Sequence, residues 1–442
     1  MSPITATQRP LFREALRFWW KLGWISFGGT AAHIAIMHDD LVERKKWISN
    51  ESFLHALSHC MILPGPEAQQ LAIYIGWKLH GRKGGLVAGT LFVLPSMFVL
   101  LALSVIYVRF GNQPWMVALF NGLKPAVIAL VILALQRVAS RALHGVAPWL
   151  VAGGAFAGMF FFNMSMPLVM LVAIALGVAL SLLRPQWLHP SRGASKNAGQ
   201  DDGLTRMTRQ EHDPVVKPLL QLAAIALLLW LMPVPLFYFF GHDFHFWKTL
   251  ALFFTKTAFV TIGGSYTVIP YVAQVTVSKL HWLSKLQMVD GFALAETTPG
   301  PLIIVVAFVG FMAGYNHFNG SLWMGTVGLL ATTFYTFLPC FLFVFASAPM
   351  VERTQNVPVI KGVLVLITSV VVGAILDLAL YLGKAVIFPS GVVTLRSLDA
   401  ISAAWVLLSL LLLKRGKMNV LYLILLSVAF GVVRYEVGHH WS

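Results

Sequence analysis

The sequence predicts an all-α integral membrane protein built from two homologous halves. Three observations lead to this prediction: the composition, a series of apolar runs of membrane-spanning length, and a long internal repeat. Of the 442 residues, 58% are hydrophobic and only 11% are charged, and the mean hydropathy is +0.76. So little polar surface cannot cover a water-soluble globule of this size, so the chain is expected to lie in a lipid bilayer.

The apolar runs predict about 12 to 13 transmembrane segments. A spanning helix needs about 20 apolar residues to cross roughly 30 Å of hydrocarbon, and the runs approach that length. Short segments of alternating hydrophobicity, which are typical of outer-membrane barrels, are absent, so the segments are predicted to be helices. The run nearest the N-terminus has a second copy in mid-chain, which indicates mature structure instead of a cleaved signal peptide.

The repeat is visible when the sequence is shifted so that Phe18 falls on Phe253. Residues Phe18–Pro66 then align without a gap on Phe253–Pro301, and 11 of the 49 positions are identical. The identical residues are mostly types that shape or anchor a backbone, which indicates an internal duplication. They include Lys21 with Lys256, Gly28-Gly29 with Gly263-Gly264, Trp47 with Trp282, Ser49 with Ser284, and Pro64-Gly65-Pro66 with Pro299-Gly300-Pro301.

The duplication divides the chain into residues 1–183 and residues 218–442. The stretch between them, 184–217, is polar and basic, so we expect a flexible cytoplasmic linker. The apolar segment 218–240 has no counterpart in the repeat, and it makes the number of spans between the two copies odd. We therefore expect the halves to be inverted, with a pseudo-two-fold axis in the membrane plane and a broken or re-entrant helix in each half.

Charge and cysteine content restrict the partners. The formal net charge of +15 fits loops beside anionic lipid, and it also fits a pathway that attracts anions. Nucleic acid is not expected because the basic residues are scattered over short loops. Cys60 and Cys340 provide neither a disulfide framework nor a metal-ligand spacing, so we expect no cofactor and no metal.

The repeated glycines, prolines and lysines are the candidate site. Each Gly-Gly pair is consistent with close helix packing or with a helix break whose backbone faces a ligand. Two prolines around a glycine make a continuous helix improbable, so Pro64-Gly65-Pro66 and Pro299-Gly300-Pro301 are expected to separate half-helices inside the membrane. The N-terminus of a half-helix attracts oxyanions. Lys21 and Lys256 are either snorkelling side chains or cations placed for an anion.

The residues between the Gly-Gly and Pro-Gly-Pro motifs predict local structure. Trp47 and Trp282 are expected to anchor the chain at the membrane interface, and Ser49 and Ser284 are expected to cap the helices that follow.

Together these motifs resemble the chromate ion transporter family, in its long two-domain bacterial form. The resemblance rests on Phe27-Gly28-Gly29, Trp47-Ile48-Ser49 and the stretch 63–72, with their echoes in the second copy. It implies a multi-pass protein of the bacterial inner membrane that exports chromate, confers chromate resistance, and is driven by the proton gradient or the membrane potential. Sulfate, a dianion of the same shape, is the natural competitor. The second copy has Leu302 where the first has Glu67.

The predicted site combines backbone and side-chain groups. Acids and histidines inside spans are costly and default to function, which makes them proton-coupling candidates. We expect chromate or a sulfate-like dianion, protons and the lipid bilayer as partners, and the oligomeric state is left open. The substrate-binding candidates are Lys21, Gly28, Gly29, Pro64, Gly65, Pro66, Gln69, Gln70, Lys256, Gly263, Gly264, Thr297, Thr298, Pro299, Gly300 and Pro301, and the proton-coupling candidates are His33, Glu67, Asp290 and Glu296.

Two other functions are considered. The first is a transporter for sulfate or another tetrahedral oxyanion. The second, more distant, is a membrane-embedded enzyme that modifies lipids. An enzyme would need a cluster of carboxylates or metal ligands on one face, and the densest polar cluster, 38–46, has no chemical counterpart in the second copy.

Overall fold

The computed structural model describes residues 10–27, 29–183, 216–240, 242–261, 268–348, 358–389, 392, 394–416 and 418–440. Within these ranges the chain is helical and forms no β-strand, which confirms the all-α prediction. Most of the predicted linker, 184–215, lies outside the described residues. The α-helices are α1 Phe12–Ile25, α2 Gly29–His38, α3 Asn50–Cys60, α4 Glu67–Phe110, α5 Pro114–Ala142, α6 Val146–Phe160, α7 Met166–Leu183, α8 Val216–Leu231, α9 Val234–Phe240, α10 Phe244–Val260, α11 Val268–Ala273, α12 Lys285–Thr297, α13 Val305–His317, α14 Leu322–Ser347, α15 Pro358–Ile387, α16 Ala400–Lys414 and α17 Val420–His440.

In the described part of the chain, fewer single helices are long enough to cross a membrane than the apolar runs predict. Seven helical segments in the described part of the chain are long and apolar enough to cross a bilayer, and three further apolar helices are shorter. The difference arises largely in the repeated stretches, where glycines and prolines divide the apolar runs into half-length helices. The long segments are 67–110, 114–142, 166–183, 219–239, 322–347, 362–387 and 420–437.

A hairpin surrounds each Gly-Gly position. Helix α1 ends at Ile25, and the hydroxyl of the next residue, Ser26, donates to the Leu22 carbonyl at 2.6 Å. After α2 the chain returns toward its start, because the ring of Trp47 lies 5.5 Å from that of Phe18 in α1. We call residues 12–47 the first Gly-Gly hairpin.

The second half repeats this geometry with the same spacing. Helix α10 ends at Val260, and the hydroxyl of Thr261 bonds to the Thr257 carbonyl at 2.7 Å. The ring of Trp282 lies 5.9 Å from that of Phe253, so the chain again folds back. Residues 244–282 form the second Gly-Gly hairpin, and its predicted pair Gly263-Gly264 lies outside the described residues, as does Gly28 in the first.

A second kind of hairpin has Pro-Gly-Pro at its tip. Helix α3 enters the tip and α4 leaves it at Glu67, so the helix is broken at the predicted place. Helix α4 itself has non-helical backbone at His80 and Gly81, and its arms 67–80 and 82–110 pack against each other, with Gly76 against Gly84. The His80 ring nitrogen Nε2 lies 2.9 Å from the Pro10 carbonyl, so the hairpin returns to the start of α1.

The second Pro-Gly-Pro hairpin is built from α12, a short 3₁₀ turn at Leu302–Ile304, and α13. Helix α13 packs against α14, with Gly314 beside Met324 and Gly310 beside Gly328. We call residues 50–80 the first Pro-Gly-Pro hairpin and residues 285–317 the second.

The spans after the hairpins interlock the two halves. Helix α5 of the first half packs against α15, α16 and α17 of the second, and α15 packs in turn against α5, α6 and α7. The division at the linker therefore separates the halves in sequence and leaves them in extensive contact in space.

Two local predictions have different outcomes. Ser49 and Ser284 cap α3 and α12, because their hydroxyls accept the backbone N–H groups of Ser52 and Gln287. This confirms the capping prediction. The interfacial role expected of Trp47 and Trp282 is wrong: their side chains are 8% and 7% exposed, because each is packed against the aromatic rings of the helix before it.

Candidate functional site

The tips of the hairpins from both halves are joined by two short backbone hydrogen bonds. The Gly65 N–H donates to the Thr261 carbonyl at 2.6 Å, and the Gly300 N–H donates to the Ser26 carbonyl, also at 2.6 Å. The repeat aligns Gly65 with Gly300 and Ser26 with Thr261, so the two bonds are equivalents in the repeat. Each Pro-Gly-Pro tip is thus bonded to the residue that follows the first helix of the other half's Gly-Gly hairpin.

Only glycine fits at the centre of each Pro-Gly-Pro tip. Gly65 has φ +122° and Gly300 has φ +99°, in a region that side chains rarely adopt. Gly65 also lies directly against Cys340, and Gly300 lies against Ser96. These two neighbours belong to a shorter pair of similar stretches, Leu94-Pro95-Ser96 in the first half and Leu338-Pro339-Cys340 in the second. Each stretch therefore lies at the Pro-Gly-Pro tip of the other half.

Several buried polar groups near the tips have no hydrogen-bond partner among the described residues. Both amide atoms of Gln69 are unbonded, and Gln69 is 0% exposed. The His33 ring is also 0% exposed; it lies beside the Ser26 backbone but makes no hydrogen bond of full geometry. The Gln70 oxygen and the Thr336 hydroxyl are unbonded as well. Gln70 directs its amide nitrogen to the Pro64 carbonyl at 2.5 Å, and His33 packs edge-on against Phe92. A buried polar group without a partner is costly, so such a cluster needs an explanation.

The two glutamines face different surroundings. Gln70 points into the tip, where its amide nitrogen and Cys340 are both in reach of Gly65. Gln69 lies at the wall of a cavity of about 640 Å³ between α4, α8 and α14, with a lining that is otherwise mainly apolar. Gln70 is therefore the better placed of the two for an anion.

Some backbone N–H groups at the tips are already hydrogen-bonded, and others have no intrahelical acceptor. The N–H groups of Gly65 and Gly300 are used by the opposite carbonyls, so they are not free for a ligand. Helix α4 begins immediately after Pro66, and its first-turn N–H groups have no intrahelical acceptor. The residues after Pro301 provide the equivalent turn before α13.

The remaining predicted ligands are two threonines beside the second Pro-Gly-Pro motif and two lysines, one on the first helix of each Gly-Gly hairpin. Thr297 and Thr298 bond their hydroxyls to the Leu294 carbonyl at 2.8 and 2.7 Å. Lys21 and Lys256 are exposed on the outer faces of α1 and α10, whereas the tips are buried. Their role as flanking cations stays a prediction.

The acids occupy three environments. Glu67 is partly buried at the first position of α4, and Glu296 is buried in α12. Asp290 is also buried, and its carboxylate lies 3.0 Å from the Lys124 ammonium and accepts a 2.9 Å hydrogen bond from Tyr107.

Lys124 is not among the residues that the sequence motifs single out. The signal was available, because a lysine followed by proline stands in the middle of the apolar run of α5, and charge in such a place is expensive. Its partner was not deducible, because Asp290 stands in the other half of the sequence and the contact depends on how the halves pack.

Comparison with known proteins identifies the family. The family model described as "Chromate transporter" matches residues 13–178 and again residues 248–432. The chain belongs to the chromate transporter family. The two matched segments begin at Arg13 and Lys248, which are positions that the repeat aligns with each other.

Curated relatives agree with this membership. The "Chromate transport protein" of Cupriavidus metallidurans is 28% identical over 443 residues, covering 97% of this chain and 94% of that protein. The "Chromate transport protein" of Pseudomonas aeruginosa is 29% identical and covers 75% of this chain and 71% of its own length. The "Uncharacterized transporter YwrA" of Bacillus subtilis is 27% identical and covers 88% of its own length but only 35% of this chain. No solved structure matches.

Membership in this family, together with the spanning helices, makes the chain a multi-pass membrane transporter and excludes the lipid-modifying enzyme considered from the sequence. A bacterial inner membrane is consistent with both findings.

Proposed function

We propose that this transporter carries chromate across the membrane and binds the dianion where the hairpin tips meet. The observation behind the proposal is the set of buried polar side chains on His33, Gln70 and Thr336 beside the crossed backbone bonds. The Thr336 hydroxyl has no partner among the described residues, and the Gln70 amide nitrogen keeps one hydrogen after its bond to the Pro64 carbonyl. Each of these side chains can offer an N–H or O–H group, including the second amide hydrogen of Gln70. A tetrahedral dianion accepts several such bonds at once.

Helix termini add favourable charge at the same place. Helix α4 points its N-terminus at the first Pro-Gly-Pro tip, and the turn leading into α13 does so at the second. An N-terminus carries roughly half a positive charge and binds oxyanions through its free N–H groups. Two termini at one site would compensate much of a dianion's charge without a buried lysine at the tips.

We propose export as the direction. Two of the curated relatives named above are called chromate transport proteins. Moving negative charge outward is favoured by a membrane that is negative inside. For a dianion the gain is about 4.6 kcal/mol per 100 mV, twice the value for one charge. A proton gradient is the other candidate source, with Glu67, Glu296, Asp290 and His33 as carriers.

We also propose that the halves are inverted. Three observations support the inversion: the exchange of backbone bonds between tips, the single unmatched spanning segment 219–239 between the halves, and the antiparallel packing of α4 and α14. In that packing Gly85 lies against Phe345, and Gly89, one turn further along α4, lies against Phe341. Reporters at 40–46 and at 276–285 are expected on opposite sides of the membrane, and finding both on one side would refute the inversion.

Sulfate is the second candidate substrate, because it presents the same tetrahedral array of oxygens to the same donors. Selectivity between the two dianions depends on small differences in size and hydration. Counterflow of labelled sulfate in vesicles loaded with chromate distinguishes a shared pathway from a selective one.

The direct test is uptake of radiolabelled chromate into inverted membrane vesicles. We expect uptake above that of vesicles lacking the protein, and a further increase when the vesicle interior is made positive. A response to an imposed pH gradient at zero potential would identify proton coupling. Uptake equal to that of the empty vesicles under every condition would reject chromate as substrate.

A further inference from the structure

A buried ion pair joins the second Pro-Gly-Pro hairpin to the first half. Lys124 of α5 lies 3.0 Å from Asp290 of α12, with side-chain exposures of 15% and 8%. Tyr107, near the end of α4, donates its hydroxyl to the other carboxylate oxygen of Asp290 at 2.9 Å. Two residues of the first half therefore hold one carboxylate of the second.

Apolar contacts surround this triad and extend it to the other arm of the hairpin. The Tyr107 ring packs edge-on against Phe308 of α13 at 5.5 Å and against Phe120 of α5 at 5.4 Å. Gly291, next to Asp290, lies directly against Phe308. Both arms of the second Pro-Gly-Pro hairpin are thus held against α4 and α5.

The corresponding place in the other half carries no such pair. The position of Asp290 is matched in the first half by His55, which is exposed. With the shift in numbering that places Pro95 on Pro339, Lys124 falls on Thr368. The Thr368 hydroxyl bonds to the Leu364 carbonyl of its own helix. The described residues therefore contain the triad on one side only.

The second Pro-Gly-Pro hairpin, which carries the triad, is also more deeply buried than the first. In α12 every residue from Met288 to Glu296 is buried. In α3 of the first hairpin only four residues are buried, and Leu54 and Met61 are each 47% exposed. Glu51, His55 and Ser58 are exposed along α3, at intervals of four and three residues that place them on one face. This polar face leads toward the first tip.

We propose that Lys124, Asp290 and Tyr107 form a latch that closes the second Pro-Gly-Pro hairpin over the substrate site, and that the latch opens during transport. The first hairpin has no latch, and its exposed polar face is the side from which we expect the substrate to approach. The link to a substrate rests on the proposed function, but the closing role of the three residues does not.

An ion pair suits a reversible closure inside a membrane. Apolar surfaces gain little by closing against each other where lipid is already apolar. Two opposite charges attract strongly when water is excluded, whereas the same pair in a water-filled pathway is worth little because each charge is solvated. Closing also costs the desolvation of both charges, which their attraction and the Tyr107 hydrogen bond offset. The free-energy difference between the closed and open states is therefore small, and the open state leaves no charge buried without a partner.

The latch is tested by thiol accessibility in vesicles of both orientations, without substrate. The background carries Cys60→Ala and Cys340→Ser, since Ser96 occupies the place equivalent to Cys340 in the first half. Leu294→Cys is the probe, because Leu294 is 6% exposed in α12, one turn beyond Asp290. Leu286→Cys on the same helix is the matched control, because Leu286 is 54% exposed.

Labelling with a membrane-impermeant reagent is compared among three chains. In the pair Lys124→Gln/Asp290→Asn we expect labelling of the probe to rise about tenfold from one side of the membrane, which corresponds to about 1.4 kcal/mol of lost closing free energy. In the exchanged pair Lys124→Asp/Asp290→Lys we expect a rate near that of the parent. The control cysteine should label equally in all three.

Two results would overturn the latch. One is a probe rate in the neutral pair equal to the parent rate, in a sample that elutes as a single species. The other is equal labelling of the probe in the exchanged and the neutral pair, since a latch needs only opposite charges. A chain that shows the expected labelling but carries no chromate would leave the latch standing and reject the proposed function.

Discussion

Replacement of Gly65 or Gly300 by valine is expected to reduce chromate transport by at least about 100-fold, equivalent to roughly 2.7 kcal/mol. A Cβ on Gly65 would lie 2.7 Å from the Gln70 amide and 2.8 Å from the Cys340 sulfur. On Gly300 it would lie 2.6 Å from the Ser96 hydroxyl. The tip must move, and the short backbone bond to the opposite half is lost with it. Transport in vesicles is the measurement, normalised to the amount of protein in the membrane.

Gly81→Val separates this effect from backbone strain alone. Gly81 also has a positive φ, +64°, but no atom lies within 4 Å of the place a Cβ would take. Strain at such a position costs about 1–3 kcal/mol and can lower stability. If all three variants lost transport equally, strain would explain the result and the tips would have no special role. Normal transport by Gly65→Val and Gly300→Val would refute the site.

Removal of Lys124 alone is expected to destabilise the protein strongly. Lys124→Met leaves Asp290 buried without its cation, and breaking a buried ion pair by deleting one partner costs about 3–5 kcal/mol. The double variant Lys124→Met/Asp290→Leu removes both charges, and such replacements are often neutral. We therefore expect a large fall in the thermal midpoint of the single variant and recovery in the double variant, measured in detergent by loss of soluble monodisperse protein.

Lys83→Met is the matched control, because Lys83 is an exposed lysine on α4. It should leave the midpoint unchanged. A Lys124→Met protein as stable as the parent would mean that the ion pair contributes nothing to holding the halves together. A double variant as unstable as the single one would locate the effect in packing instead of charge.

Features that depend on neighbouring residues in the sequence, namely the repeat, the helix caps and the helix breaks, could be predicted. The pairing of Gly65 with Gly300 and of Ser49 with Ser284 follows from one shift in numbering, and the breaks at Pro-Gly-Pro follow from backbone chemistry. Family resemblance was equally accessible from those motifs. Apolar length alone cannot distinguish a full span from two half-helices that turn back, so the described residues contain fewer long helices than the sequence has apolar runs.

The contacts between the two halves could not be predicted. Nothing local indicates that Gly65 donates to Thr261 or that Asp290 meets Lys124, because both contacts depend on how separate elements cross. The burial of Trp47 was missed for the same reason: tryptophan suits a membrane interface, but here an aromatic partner in the preceding helix encloses it. Gln70 was predicted from its place beside the motif, and its inward direction is a result of the turn after Pro66.

Binding of chromate to the purified protein tests the central claim most directly. Equilibrium dialysis should find one dianion per chain, with affinity about 10–100-fold weaker in Gln70→Leu, since a hydrogen bond to a charged group is worth about 1.5–3 kcal/mol. Gln136→Leu, at an exposed glutamine of α5, should bind like the parent. Binding of chromate by Gln70→Leu and Gly300→Val with the affinity of the parent would contradict a site at the hairpin tips.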